Sequence, residues 1–263
     1  NYQRVAQIAR TIGDSFEGLG RGGLAIINAY QPWLAQWIQQ AGDARTITFG
    51  LSEKADYRAI NIQYQGLNGT RFDLIAPSMD LPVSLRLPGA IQVINALAAL
   101  AVAIELGVPP VSAVDGLGQV VPEVGRGAVL VGRTGGRVVD DSYNANPAAV
   151  MAAIDTLARE SAYSVLILGP MLELGPTSDA LHGDVGRYAK AAGIDLLVAV
   201  GREAAAAAEA YGEGSHYFSN QQALWAAFPE LPDEHLIWVK GSRGAMLEKT
   251  VHWLTRAEEG FSC

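Results

Sequence analysis

Four short polar segments of the 263-residue sequence carry most of the side chains able to do chemistry: Asp140-Asp141-Ser142-Tyr143-Asn144-Ala145-Asn146-Pro147, Gly169-Pro170-Met171-Leu172-Glu173-Leu174-Gly175, Gly201-Arg202 and Lys240-Gly241-Ser242-Arg243. Each follows an apolar run that reads as a strand: Arg137 to Asp140, Val165 to Leu168, Leu196 to Val200 and Leu236 to Val239. Where parallel strands are wrapped by helices, ligands bind outside the carboxyl ends of the strands, so these segments fall along one rim. The rim collects carboxylates, amides, a lysine and arginines, an inventory suited to neutralising phosphate oxygens and orienting ribose hydroxyls. Plainer readings stand beside this one. Asn144 and Asn146 before Pro147 suit a turn and a helix N-cap. Lys240 and Arg243 suit solvated charges, and His182, in the first turn of a predicted helix, suits a structural or exposed role. Glu173 lies between two leucines, which suits a carboxylate opposite an apolar face. Their gathering on one edge favours a binding cleft.

The elements that must position this rim follow from hydrophobic periodicity. Residues 126–263 open on a hairpin (Val129 to Val131, a turn at Thr134-Gly135-Gly136, Val138 to Asp140). They continue as strands alternating with helices over 147–159, 179–192, 203–211, 221–228 and 245–255, with a further strand at His216 to Phe218. Alternation of this length predicts a doubly wound, Rossmann-like parallel sheet. Residues 1–125 read differently. A helix over 1–16 ends at Gly18 to Gly23, a strand covers 24–27, a helix begins near Pro32 and a strand covers 46–49. Period-two alternation over 57–64, 72–75 and 83–87, with a turn containing Asn68-Gly69, then predicts antiparallel strands forming a β appendix. Helices around 95–106 and 112–117 complete this region. The fold class is α/β in two domains, 1–125 and 126–263.

Composition bounds the function. Hydrophobic residues make up 49% of the chain, enough for a sizeable core. The formal net charge is −8 with no Lys/Arg-rich run, which argues against nucleic acid as a partner. The apolar stretch Val93 to Val108 is interrupted by Asn95 and Glu105, so it predicts a buried helix and no membrane insertion. Cys263 is the only cysteine, so neither a disulfide framework nor a thiolate metal cluster is expected, and a reducing, cytoplasmic setting is. No residue is assigned as a metal ligand, and a monomer is expected. The chain opens on Asn1 inside a helix-like run, so a fragment or processed product is expected.

The segment Asp140 to Pro147 closely resembles the signature of the Mur ligase family, in its D-alanyl-D-alanine-adding branch. Family order continues through Gly125-Arg126, Met171 to Gly175 followed by His182, Ala191-Ala192-Gly193-Ile194-Asp195 and Val239 to Arg243. It extends backwards through Leu87-Pro88-Gly89, Asn95 to Ala99 and Gly13 to Leu19, so the resemblance covers nearly the whole chain. It implies that residues 1–125 are the second half of a central ATPase domain and residues 126–263 a Rossmann-like C-terminal domain. The implied activity is ATP-dependent amide ligation in cytoplasmic peptidoglycan precursor synthesis. ATP phosphorylates the carboxylate of UDP-N-acetylmuramoyl-tripeptide, the amine of D-alanyl-D-alanine attacks the acyl phosphate, and Mg2+ shields the oxygens. By the same resemblance Arg126 contacts the nucleotide phosphates and Asp141 the ribose. Tyr143, Asn144, Asn146 and Asn95 belong to the nucleotide side, and His182, Lys240 and Arg243 serve the chemistry.

The sequence also departs from the family pattern. No Gly-rich loop ending in Gly-Lys-Ser/Thr occurs, so the phosphate-cradling loop is expected upstream of Asn1 and this chain alone is expected to be inactive. Ile12 stands where the family carries a lysine that assists magnesium. Ala90-Ile91-Gln92 replace Arg-His-Asn, Gly169-Pro170-Met171 replace Gly-Asp-Met, and Ala148 and Ala149 occupy positions where more polar residues are common. The alternative expectation is a non-catalytic relative or scaffold that keeps the fold, with weak nucleotide affinity through Asp141 and Arg126.

Overall fold

The computed structural model describes residues 2–256, with side chains from Val5 onward; Asn1 and Cys263 lie outside the described residues. Two compact units form. Among the described residues the first comprises 2–65, 69–86 and 90–120, and the second 66–68, 87–89 and 121–256.

The first unit contains α1 (Tyr2–Glu17), β1 (Leu24–Asn28), α2 (Leu34–Gln40), β2 (Arg45–Gly50), β3 (Tyr57–Tyr64), β4 (Thr70–Ala76), β5 (Met79–Leu85), α3 (Ala90–Glu105) and α4 (Pro110–Gly118). Its five strands form one sheet in chain order. The first three are parallel and β3, β4 and β5 are antiparallel, as the alternation predicts. The expected appendix is nonetheless part of the main sheet. The start of β3 pairs with the end of β2 through Phe49↔Tyr57 and Gly50↔Arg58, and its remainder runs on to pair with β4. A bulge between Ile60 and Gln63 then bends the strand, with Asn61 at φ 51 and its Nδ2 donating to Asp73 at 2.7 Å. The α3 helix buries Val93, Ala96, Leu97, Leu100 and Ala101 and packs on β2 and β3. At roughly 1.5–3 kcal/mol for each large aliphatic side chain, this burial dominates the local energetics. Trp37 donates its indole N–H to the Ala9 carbonyl at 2.8 Å, tying α2 to α1. Buried Tyr57 donates to Glu105 Oε1 at 2.9 Å, and Glu105 in turn pairs with Arg45. Burial, reinforced by that carboxylate, pushes the Tyr57 phenol up to about 12.

The second unit contains β6 (Ala128–Val131), β7 (Arg137–Asp141), α5 (Pro147–Leu157), β8 (Tyr163–Leu168), α6 (Ser178–Ala191), β9 (Leu196–Val200), α7 (Ala205–Tyr211), β10 (Ser215–Phe218), α8 (Gln221–Ala226), β11 (His235–Lys240) and α9 (Glu248–Thr255). The sheet order is β10-β9-β8-β11-β7-β6, parallel throughout except for β6, which returns antiparallel on β7 as the hairpin pattern predicts. Side chains alternate across it. Val139, Leu166, Leu168 and Trp238 join the core under α5, α6 and α7, whereas Val138, Val165, Ile167 and Val239 join the core under α8 and α9. Helices on both faces explain why these strands read as near-continuous apolar runs. The last helix starts three residues later than its periodicity suggests, because Arg243–Ala245 form a 3-10 turn and Met246 takes φ 52. Among the described residues no helix is long and apolar enough to cross a membrane.

Candidate functional site

The rim of the second unit is built from the carboxyl ends of β7, β8 and β11. Strands β7 and β11 are parallel neighbours, and their register pairs Asp141 with Lys240. Because strand side chains repeat every second residue, Trp238, Lys240 and Asp141 share one face. Lys240 Nζ lies 2.7 Å from Asp141 Oδ2 and donates to the Asn144 carbonyl at 3.0 Å, and Trp238 Nε1 donates to the same Oδ2 at 3.1 Å. The pair is largely withdrawn from water, with side-chain exposures of 5% for Lys240 and 19% for Asp141. Burial pushes the Asp141 carboxyl above its ordinary range, against the opposing charge and hydrogen bond of Lys240 and the bond from Trp238. Among the described residues Oδ1 accepts no donor, and it is not among the buried polar atoms. Asp140 points the other way and is buried. Its Oδ2 accepts from Gly125 N at 2.9 Å, and its Oδ1 accepts from Ser142 N at 3.2 Å and Ser142 Oγ at 2.6 Å.

Two loops bring cations to this edge. Arg126 sets its guanidinium 4.1 Å from the centroid of the exposed Tyr143 ring, and Arg243 lies 5.9 Å from the same centroid. For the two asparagine oxygens the plainer reading holds. Asn144 Oδ1 accepts from Ala145 N at 2.8 Å, and Asn146 Oδ1 caps α5 by accepting from Ala149 N at 2.9 Å.

The loop after β8 is pinned at successive residues. Met171 N donates to His182 Nε2 at 2.9 Å, Leu172 N donates to Ser242 Oγ at 2.9 Å, and Thr177 Oγ1 donates to the Leu174 carbonyl at 3.0 Å. His182 is fully buried, and its Nδ1 lies 2.8 Å from the Ser178 carbonyl, which fixes the proton on Nδ1 and leaves Nε2 to accept. Both ring nitrogens are therefore committed to backbone. The catalytic role expected of His182 gives way, on this geometry, to holding the loop in place. Between the pinned positions Glu173 is exposed and takes φ 65, a conformation that strains any residue with a Cβ.

The structure thus brings together Asp141, Lys240, Arg126, Tyr143, Asn144, Asn146 and Arg243 in one unit. Asn95 belongs to the first unit, exposed on α3, where its Nδ2 donates to Gln92 Oε1 at 3.1 Å. Trp238 is a member of the site that residue typing alone passes over, and Asp140 and Ser242, though within the polar segments, are given no role of their own by it. Trp238 had a signal, since it stands two positions before Lys240 and so on its face of the strand. Among the described residues no three His, Cys, Asp or Glu side chains cluster so as to hold a metal ion. The rim carboxylate with an open oxygen, Asp141, already neighbours an ammonium, a poor setting for magnesium.

A Rossmann-like sheet with this rim, joined to a partly parallel α/β unit, defines an architecture that two family models recognise. The Mur ligase middle domain matches residues 1–103, and the Mur ligase, glutamate ligase domain matches residues 125–243. The chain belongs to the Mur ligase family. It is similar to the UDP-N-acetylmuramoyl-tripeptide--D-alanyl-D-alanine ligase of Escherichia coli (strain K12), 37% identical over 267 residues that cover 100% of this chain and 58% of that relative. The ligase of the same description from Haemophilus influenzae is 31% identical over 96% of this chain and 56% of its own length. Among solved structures, MurF from Acinetobacter baumannii superposes with a TM-score of 0.83 at 28% identity, covering 93% of this chain and 54% of that one. The chain therefore spans a little over half the length of the relatives it matches.

Proposed function

We propose that this chain forms the second part of the central domain and the C-terminal domain of an ATP-dependent ligase, with the domain boundary at 125/126. The reaction joins UDP-N-acetylmuramoyl-tripeptide to D-alanyl-D-alanine in the cytoplasm, with ATP as phosphoryl donor and magnesium accompanying its phosphates, and the enzyme acts as a monomer. In that chemistry a phosphoryl group passes from ATP to a carboxylate oxygen and ADP leaves. The amine lone pair then attacks the acyl carbon, the C–O bond to phosphate breaks, and the amine proton is lost to solvent.

The observation that carries the reading is the rim itself: a partly buried, doubly donated carboxylate at Asp141, and two exposed guanidinium groups, Arg126 and Arg243, against the ring of Tyr143 two residues further on. Arginine compensates phosphate charge without losing a proton, and a carboxylate oxygen that takes no internal donor accepts a ribose hydroxyl. Asn144 and Asn146, their oxygens spent on backbone, present amide donors to the nucleotide. Lys240, held by Asp141 and the Asn144 carbonyl, fixes the rim and faces the reacting groups through its remaining donor. No step is assigned to magnesium on the described residues.

One observation favours a reading without catalysis. Ile12, where the family lysine would stand, is 44% exposed on α1 and offers neither charge nor ligand. Calorimetric titration of ATP with magnesium into this chain, beside an Arg126→Ala variant, tests the nucleotide assignment. Heat that the variant loses supports it, and the absence of heat from both at millimolar ATP removes it.

A further inference from the structure

The solvent face of β3, β4 and β5 in the first unit carries an open cleft of about 450 Å3, within the size range of small-molecule sites. Strand register builds it. Arg71 on β4 is paired with Gln63 on β3 and with Ser84 on β5, so the three side chains stand in one row across the sheet. Asp73 lies two residues further along β4, opposite Pro82, and therefore on the same face, roughly 6.5–7 Å from Arg71 along the strand. These residues line the cleft together with Asn61.

The row is polar and uncommitted. Arg71, Gln63 and Ser84 are exposed, and among the described residues none of their side chains takes part in a hydrogen bond or an ion pair. Asp73, in contrast, is half-buried and held. The bulge between Ile60 and Gln63 brings Asn61 Nδ2 within 2.7 Å of Asp73 Oδ2, to which it donates, and Oδ1 receives no donor among the described residues. Asn61 takes φ 51 to do so, a left-handed conformation disfavoured for any residue with a Cβ, and bulges of this kind re-aim side chains beside binding sites. A guanidinium flanked by an amide and a hydroxyl is a seat for a carboxylate, since the arginine fork donates two parallel bonds and its neighbours supply further donors. The open oxygen of Asp73 accepts from an ammonium. Two extended residues span at most about 7 Å, which matches the separation of Arg71 and Asp73, whereas a single amino acid carries its two charges too close together. We infer that this cleft binds a zwitterionic dipeptide, with its carboxylate on Arg71 and its ammonium on Asp73. None of these residues belongs to the rim, so the assignment goes beyond the ligase reading and does not depend on it.

The test is equilibrium titration of glycylglycine into the protein that contains this chain, as wild type, Arg71→Ala and Asp73→Asn, with N-acetylglycylglycine, glycylglycine amide and glycine as comparison probes. The wild type binds glycylglycine at millimolar concentration or below. Each variant, each capped probe and glycine binds about ten-fold more weakly or worse, as removal of one charge-assisted contact implies. Asp73→Asn keeps an acceptor for Asn61, and Arg71 is exposed, so both variants retain the wild-type melting temperature and the losses read charge, not folding. No binding by the wild type, undiminished binding in either variant, or a capped probe or glycine that matches glycylglycine each overturns the inference. Glycylglycine held at the rim is unaffected by either substitution and so counts against it as well. Amide formation is not read in these titrations, so a failure of the ligase reading is seen separately.

Discussion

Lys240 and Asp141 are partners twice over: backbone register sets them side by side on β11 and β7, and Nζ lies 2.7 Å from Oδ2. Removing the carboxyl leaves the Trp238 and Lys240 donors without their acceptor in a largely dry site, so Asp141→Ala is expected to destabilise the second unit by roughly 1–3 kcal/mol. Exchanging both for apolar residues of similar volume is expected to be far milder. Urea denaturation of the two singles and the double variant, by a double-mutant cycle, checks this.

The same carboxyl sets a pH dependence. Burial raises the folded-state value of Asp141 above its unfolded one, so its contribution to stability is full below the unfolded value and is lost as pH rises through the folded one. Relative to Asp141→Asn, which does not titrate, the wild type is expected to gain stability on acidification from neutrality towards pH 4. Urea midpoints of both proteins across that range decide it, and a gap that narrows on acidification would mean that Lys240 outweighs burial.

His182 is expected to matter to the fold. His182→Ala leaves the Met171 N–H without an acceptor in a dry interior, at about 1–3 kcal/mol, before the cavity is counted. A cooperative unfolding curve shifted by at least that amount supports the positioning role. An unshifted curve together with lost turnover would restore the catalytic one.

Helices α6 and α7 approach so closely that a Cβ at Gly186 would fall 2.1 Å from the Ala207 carbonyl oxygen. Gly186→Ala is accordingly expected to cost about 1–3 kcal/mol through overpacking. Gly116 lies on α4 with open space where a Cβ would stand, so as alanine it is expected to gain up to about 1 kcal/mol from helix propensity. Thermal melts of the two variants should move in opposite directions.

Tyr57 supplies a spectroscopic handle on the first unit. With its phenol pushed up to about 12 in the folded state, its stabilising contribution is present below 10, the ordinary tyrosine value, and is lost as pH rises through 12. The difference in ultraviolet phenolate absorbance between wild type and Tyr57→Phe should therefore appear near pH 12; a difference centred near 10 would contradict the buried Glu105 contact.

Much of this was legible in the amino-acid order, for identifiable reasons. Strands such as β9, Leu196–Val200, and β3, Tyr57–Tyr64, coincide with their apolar or alternating runs because turn residues bound them on both sides. Asp141 and Lys240 were legible as rim residues because each ends a strand. Their contact was not, since it depends on β11 inserting between β8 and β7, and register between strands nearly a hundred residues apart leaves no local trace. His182 illustrates the opposite limit: its residue type suggested chemistry, and only burial and the two backbone partners show what its nitrogens do. The strained φ of Glu173 was likewise hidden, because nothing in Leu172-Glu173-Leu174 marks a left-handed residue.

The most direct measurement is product formation by the protein that contains this chain, supplied with ATP, magnesium, UDP-N-acetylmuramoyl-tripeptide and D-alanyl-D-alanine and followed by mass spectrometry, beside its Arg126→Ala variant. The account predicts an amide-linked product with one ADP released per bond, dependent on both amide substrates and falling at least about ten-fold in the variant, as loss of a phosphate-compensating charge implies. Folded wild-type protein that binds the nucleotide yet forms no amide would contradict it.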